Sequence, residues 1–363
     1  LNAQSSEDAA VSRSSGAVRV ALFTNIEGKP ATLTHVYFMA NAPFRLITNS
    51  GEVIKEDGKP YDQWEIAFRT ESNLIEVRDA SRNIQYTSKT PFRIAPIESG
   101  GSVLLKSARF LDHSGFDRGD RELRGQLEAI PTPEGFKAVN EVMLEEYLYG
   151  AVGAAVPQGS PLEAYKAQAI VSRTLALWHR AQGRLNMERS DICDSRKCQR
   201  YVGVNEEMRE ATKGVVATEG LVLTRGGRLE HALQHEHCGG RTEDGDTTGD
   251  ATLKSLVSVA DGPGPLAPAS PLQLERDLHE YPSPERYCEA GSLTAQSESR
   301  WLRLIDAKTI QARADLRNLG TVKNIRAKRR TAAGRVRALE VEGSRASLTL
   351  EGDYAIADFL SPG

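Results

Sequence analysis

The stretch from Ser160 to Gly183 constrains the fold more than any other part of the chain. Ser160 can cap a helix, Pro161 suits its first turn, and Glu163 completes a Ser-x-x-Glu capping box. Gly183 sits where such a helix stops. The residues between are good helix formers with few surface charges, which predicts a central, buried, Ala-rich helix. The run before it, Glu146-Tyr147-Leu148-Tyr149-Gly150-Ala151-Val152-Gly153-Ala154-Ala155-Val156-Pro157, reads as a loop feeding that helix. Lys166 and Arg173 are seven apart, so they share one helix face two turns apart. Long cations on a buried helix are costly unless paired. Two readings follow: internal salt bridges, for example to Glu163 or Asp261, or a cationic floor for an anionic or polyhydroxyl ligand. Gln168 points elsewhere on the helix and reads as a structural hydrogen-bonder.

Around this helix the pattern is β-rich. Val18–Phe23, a hairpin over Phe44–Ile47 and Glu52–Ile54, and Ile75–Arg78, Gln85–Thr87 and Val103–Phe110 read as short strands between polar turns. A second helix is expected over Glu206–Thr212. Strands are expected at Ala217–Thr224 and Leu229–Gln234, joined by the turn Arg225-Gly226-Gly227-Arg228. Arg300–Arg317 reads as helical, and Val322–Leu350 as a pair of hairpins turning at Ala333-Gly334 and Gly343-Ser344. The expected class is α+β. It has a polar, disordered tether at 1–16, a mostly β lobe at 17–140 and a core at 141–262 whose central helix and strands form a substrate groove. A Pro-rich insertion at 263–299 and a helix plus hairpins at 300–363 complete it.

At 363 residues the chain is long enough for two or three lobes. Its net charge of -3 gives no electrostatic case for nucleic acid or an anionic membrane. No run of eighteen apolar residues exists to span a bilayer. The four cysteines, Cys193, Cys198, Cys238 and Cys288, suit two disulfides in an oxidising compartment, or buried thiols in a reducing one. Cys193 and Cys198 can close a small loop, which leaves Cys238 with Cys288.

The helix and its neighbours resemble the signature of the stage II sporulation protein D (SpoIID/LytB) family. The resemblance runs over Leu144–Thr174 and again at Cys193-Asp194-Ser195 with Cys198-Gln199-Arg200-Tyr201. Further matches are Ala217-Thr218-Glu219-Gly220, His235 with Cys238-Gly239-Gly240, Thr242-Glu243, and Leu253-Lys254-Ser255 ahead of Asp261. It implies lytic transglycosylases that cleave peptide-stripped peptidoglycan strands, or partners that stimulate cell-wall amidases, outside the cytoplasm. Carried over by motif, Lys166, Arg173, Lys254 and Asp261 match the family's polar site, and Gln168, Tyr201 and His235 join them as substrate-binding candidates. Ala155 takes the position of the family's catalytic acid, where a Glu-Met-Pro is replaced by Ala155-Val156-Pro157.

That position matters because cleaving a glycosidic bond needs a positioned acid on the leaving oxygen. Alanine has no proton to give. Glu145 and Glu146 are near in sequence but are expected to point from a different element. The resemblance therefore implies either a lytic transglycosylase with an isolated change at 155, natural or introduced to trap substrate, or a glycan-binding, amidase-enhancing module without turnover. Other departures are His235-Glu236 for the family's His-Ser, Ile356-Ala357 for its Ile-Arg, and no Gly-His-Gly-Val-Gly segment. A generic β-rich export domain with salt-bridged Lys166 and Arg173 leaves the shared motifs unexplained. No cofactor is expected. Zinc is the weaker reading of His231, His235, His237 and Cys238, because on a strand the three histidines share one face and Cys238 the other.

Overall fold

The computed structural model describes residues 16–25, 27–106, 119–183, 190–235, 304–331 and 333–360. It also describes Cys238, 241–245, 253–254, 256–262 and Tyr287. Residues 1–15 of the expected tether, the end of the strand expected to reach Phe110, the prolines from Pro263 to Pro282, and Cys288 lie outside the described residues. The chain divides into two compact units, residues 1–233 and 234–363.

The first unit begins as two antiparallel sheets. Its strands are β1 (Ala17–Ala21), β2 (His35–Ala40), β3 (Phe44–Thr48), β4 (Val53–Gly58), β5 (Trp64–Arg69) and β6 (Leu74–Arg78). They continue with β7 (Ile84–Ser88), β8 (Phe92–Pro96), β9 (Ser102–Lys106), β10 (Arg121–Arg124), β11 (Gln126–Thr132) and β12 (Gly135–Met143). One sheet runs β1-β12-β11-β8-β3-β4 and the other β10-β9-β2-β5-β6-β7. Alternation drives their packing: in β2, Val36, Phe38 and Ala40 are buried while their neighbours are only partly so. Phe44 of the first sheet meets Phe38 and Trp64 of the second edge-on, at 5.6 and 5.3 Å between ring centres, so one core lies between the sheets. The expected hairpin is present as β3 paired with β4.

β12 passes without a loop into α1 (Leu144–Ala155). The segment expected to be a loop is thus a helix. Leu144, Tyr147, Leu148, Ala151 and Val152 recur at helical spacing and are all buried. Gly150 and Gly153, which argue against a helix, are there for close approach. A Cβ on Gly150 would lie 2.5 Å from the Gly203 carbonyl oxygen, and one on Gly153 1.8 Å from that of Glu206. α2 (Leu162–Gln182) is the expected central helix, ended by Gly183 at φ 57°. Its start differs from expectation: Pro161 in extended backbone is the N-cap, and no side chain caps the turn. The Pro161 carbonyl instead takes the Ala164 N–H at 2.9 Å.

Beyond α2, β13 (Ile192–Cys193) joins the first sheet parallel to β1. The expected second helix is a short 3-10 turn at Val204–Glu206 followed by α3 (Arg209–Ala217), with Glu207 held extended between them. The strand expected from Ala217 is reduced to a small hairpin, β14 (Thr224–Arg225) with β15 (Arg228–Leu229). Its apolar residues pack elsewhere: Val222 lies against the core, and the Leu223 N–H goes to Thr174 Oγ1 at 2.9 Å rather than to a strand. The Gly226-Gly227 turn has both φ values positive, as a tight hairpin requires.

In the second unit, α4 (Ala307–Asp315) begins at Asp306, whose carboxylate takes the Thr309 N–H at 2.8 Å. β16 (Val322–Arg330), β17 (Val336–Gly343) and β18 (Ser347–Glu351) form one antiparallel sheet that turns where expected, and α5 (Asp353–Leu360) follows. Leu339, Val341, Leu350, Ala314, Leu319 and Phe359 make its core. Among the described residues no helix is long and apolar enough to cross a membrane.

Candidate functional site

The Cys193–Tyr201 segment is stitched onto the start of the chain. A disulfide joins Cys193 to Cys198 with the Cα atoms 5.5 Å apart. Asp194 is buried, and its carboxylate accepts the N–H groups of Phe23 (2.8 Å) and Thr24 (2.9 Å) and the Thr24 hydroxyl. The same carboxylate pairs with the buried guanidinium of Arg121, which lies 4.5 Å over the Phe23 ring. Every contact of this aspartate is internal, so it fixes the loop rather than offering a charge to a ligand.

Tyr201 has a similar fate. It is buried, and its hydroxyl donates to Asn140 Oδ1 at 2.9 Å, while Asn140 donates to the Arg124 and Gln126 carbonyls. The Tyr147 ring lies 4.8 Å away, and its hydroxyl reaches Gln199. Gln199 and Gln168 both donate to the Ser172 hydroxyl, so Gln168 makes the structural hydrogen bond its position suggested. Burial pushes the Tyr147 and Tyr201 hydroxyls well above the usual phenol range and keeps both neutral.

The two cations of α2 part company. Arg173 is buried, and its guanidinium holds Glu145 of α1 through two bonds of 2.8 and 2.7 Å. It also donates to the carbonyls of Leu221 (3.1 Å) and Val215 (3.3 Å). Arg173 thereby ties α1, α2 and the end of α3 together. Lys166 is half-buried and meets Glu163 at 2.7 Å on its own helix. Its partner is largely exposed, so the pair is weak and easily exchanged.

Ala155 is the last residue of α1 and is exposed. The carbonyl before it, that of Ala154, accepts from Arg200 at 3.4 Å, and Arg200 also pairs with Glu206. Arg124 holds Glu207 beside them through bonds of 2.6 and 2.8 Å. Of the neighbouring acids Glu145 and Glu146, Glu145 is engaged by Arg173. Arg200 stands in the Cys198-Gln199-Arg200-Tyr201 motif, which does not by itself imply this place. No local signal points to it, because α2 and β13 separate Arg200 from α1 in the chain.

His235 and Lys254, both exposed, and the half-buried Asp261 belong to the second unit, whereas Ala155, Lys166, Gln168, Arg173 and Tyr201 belong to the first. In the second unit Glu243 accepts from Thr331 (2.9 Å) and Arg335 (3.1 Å), and Arg335 also donates to the Cys238 carbonyl. His231 is not on a strand: its ring stacks on Trp178 with centres 3.6 Å apart. Among the described residues no group of three His, Cys, Asp or Glu is placed to hold a metal, and His237 lies outside them. Cys238 is buried, and its expected partner Cys288 lies outside the described residues.

Residues 132–225 match the SpoIID family, stage II sporulation protein. That span holds α1, α2 and the Cys193 loop, and it ends before His235. An uncharacterized protein of Brachyspira hyodysenteriae is 27% identical over 150 residues, which is 41% of this chain and 40% of that protein. The chain thus matches less than half the length of that relative.

Proposed function

We propose, from the chain's membership of the SpoIID family through residues 132–225, that it binds peptide-stripped peptidoglycan strands at the exposed end of α1. The observation that carries this reading is the exposure of position 155 at a helix C-terminus, on a scaffold where Arg173, Asp194 and Tyr201 are internally bonded. A carboxyl group there would feel the negative end of the helix, which disfavours its ionisation and suits a general acid. With alanine the protein binds glycan and does not cleave it; with glutamate the same seat protonates the leaving glycosidic oxygen. Lys166 follows on the next helix as the cation that can leave Glu163 for a sugar carboxylate. Within the second unit, taken by itself, Lys254, Asp261 and His235 are the proposed glycan-binding residues.

A non-catalytic, amidase-enhancing role is the second reading, favoured by Ala155 itself and by Glu145 being held by Arg173. The disulfide supports an extracytoplasmic location for either. Co-sedimentation with sacculi, before and after amidase stripping, tests the binding claim. Retention on stripped sacculi that falls in Lys166→Ala supports it. Equal retention by both sacculus preparations and both proteins overturns it.

A further inference from the structure

We infer that the second unit carries a docking strip for an acidic, extended peptide segment, which adds to β16 as a fourth strand and seats aliphatic side chains between β16 and α4. β16 is an edge of its sheet, so one rim of its backbone N–H and C=O groups faces no strand among the described residues. Eight of its nine residues are exposed. Beside it lies a groove of about 790 Å³ whose lining includes Ala307, Ile310, Val322 and Ile325.

The charge at this groove selects the occupant. Lys308 and Lys323 also line it, and among the described residues neither has an ion-pair partner. The acid in the lining, Asp315, is engaged by Gln311 at 2.8 Å. Farther along β16, Arg326 and Lys328 share Glu340, and Arg329 holds Glu351. Residues 304–360 carry eleven Lys and Arg against seven Asp and Glu, a balance of +4 in a chain that totals -3. A second copy pairing edge to edge would set five cations of one β16 against five of the other. An acidic strand with alternating aliphatic residues meets the backbone rim beyond Val322, whose N–H goes to Gln311 Oε1 at 3.0 Å, together with the two lysines and the apolar groove. One or two charges are enough to guard an edge strand, and guarding alone does not call for the adjoining apolar groove.

The probe is a fluorescein-labelled peptide of alternating Glu and Val, titrated with the full chain and followed by anisotropy. Saturable binding is expected, weakened at least tenfold by Lys308→Glu with Lys323→Glu, and likewise by Ile325→Asp. N-methylation of alternate peptide nitrogens should abolish it, while Lys89→Glu on the first unit leaves it unchanged. Circular dichroism confirms that each variant is folded. No saturable binding overturns the proposal and leaves the cations as edge protection. Binding of poly-glutamate or inorganic polyphosphate that is equally tight and indifferent to Ile325→Asp also overturns it. No arm involves position 155, so failure here is distinct from failure of the glycan reading.

Discussion

The Cys193–Tyr201 loop and the end of α1 belong to one signature, yet one is bonded inward and the other is exposed. In the loop, Asp194 accepts two backbone N–H groups, a hydroxyl and a guanidinium, all inside the protein. At the end of α1, position 155 is exposed. A signature therefore mixes residues bonded within the protein with residues left exposed. Burial and hydrogen-bond accounting separate the two where residue type does not. Arg173 shows this well: as a charge on a helix it invites a ligand, yet its guanidinium is fully engaged by Glu145 and two backbone carbonyls.

The comparison is sharpened by breaking each side in turn. Asp194→Ala leaves Arg121 and two N–H groups buried without their acceptor, and should cost about 3–5 kcal/mol in urea unfolding. Arg173→Ala should cost about 2–3 kcal/mol, less because Glu145 keeps access to water. Gly153→Ala forces the 203–206 turn off α1 and should lower stability by about 1–3 kcal/mol. Replacing Cys193 and Cys198 by serine removes a short cross-link worth about 2 kcal/mol. Lys166→Ala should leave stability within about 0.5 kcal/mol, and its effect should fall on glycan retention alone.

The pH dependence has a definite sign. The Tyr147 and Tyr201 hydroxyls stay neutral when folded and ionise near pH ~10 when unfolded. Their contribution is therefore constant below that pH, and stability falls as the pH rises past it. Tyr201→Phe should flatten this alkaline loss in denaturant titrations at pH 9 to 11.

Much of this was legible from residues alone. The α2 helix and its Gly183 stop, the β3–β4 hairpin and the turns of the last sheet follow from period, capping and turn chemistry. α1 was missed because Gly150 and Gly153 lower helix propensity, and their reason, the approach of Gly203 and Glu206, is a tertiary fact. The strand expected after Ala217 failed because apolar run length does not say whether the partner is a strand or a helix core. The seats of Tyr201 and Arg173 were illegible for a related reason. Their partners, Asn140 and Glu145, are distant in sequence or on another helix.

The account stands most directly on one experiment. Peptide-stripped glycan strands are incubated with this protein and with Ala155→Glu, and the products are read by mass spectrometry for 1,6-anhydromuramic ends. Such ends from Ala155→Glu and none from the unaltered chain are the predicted result. Bound strands with no ends from either protein would contradict the placement of the acid at the end of α1.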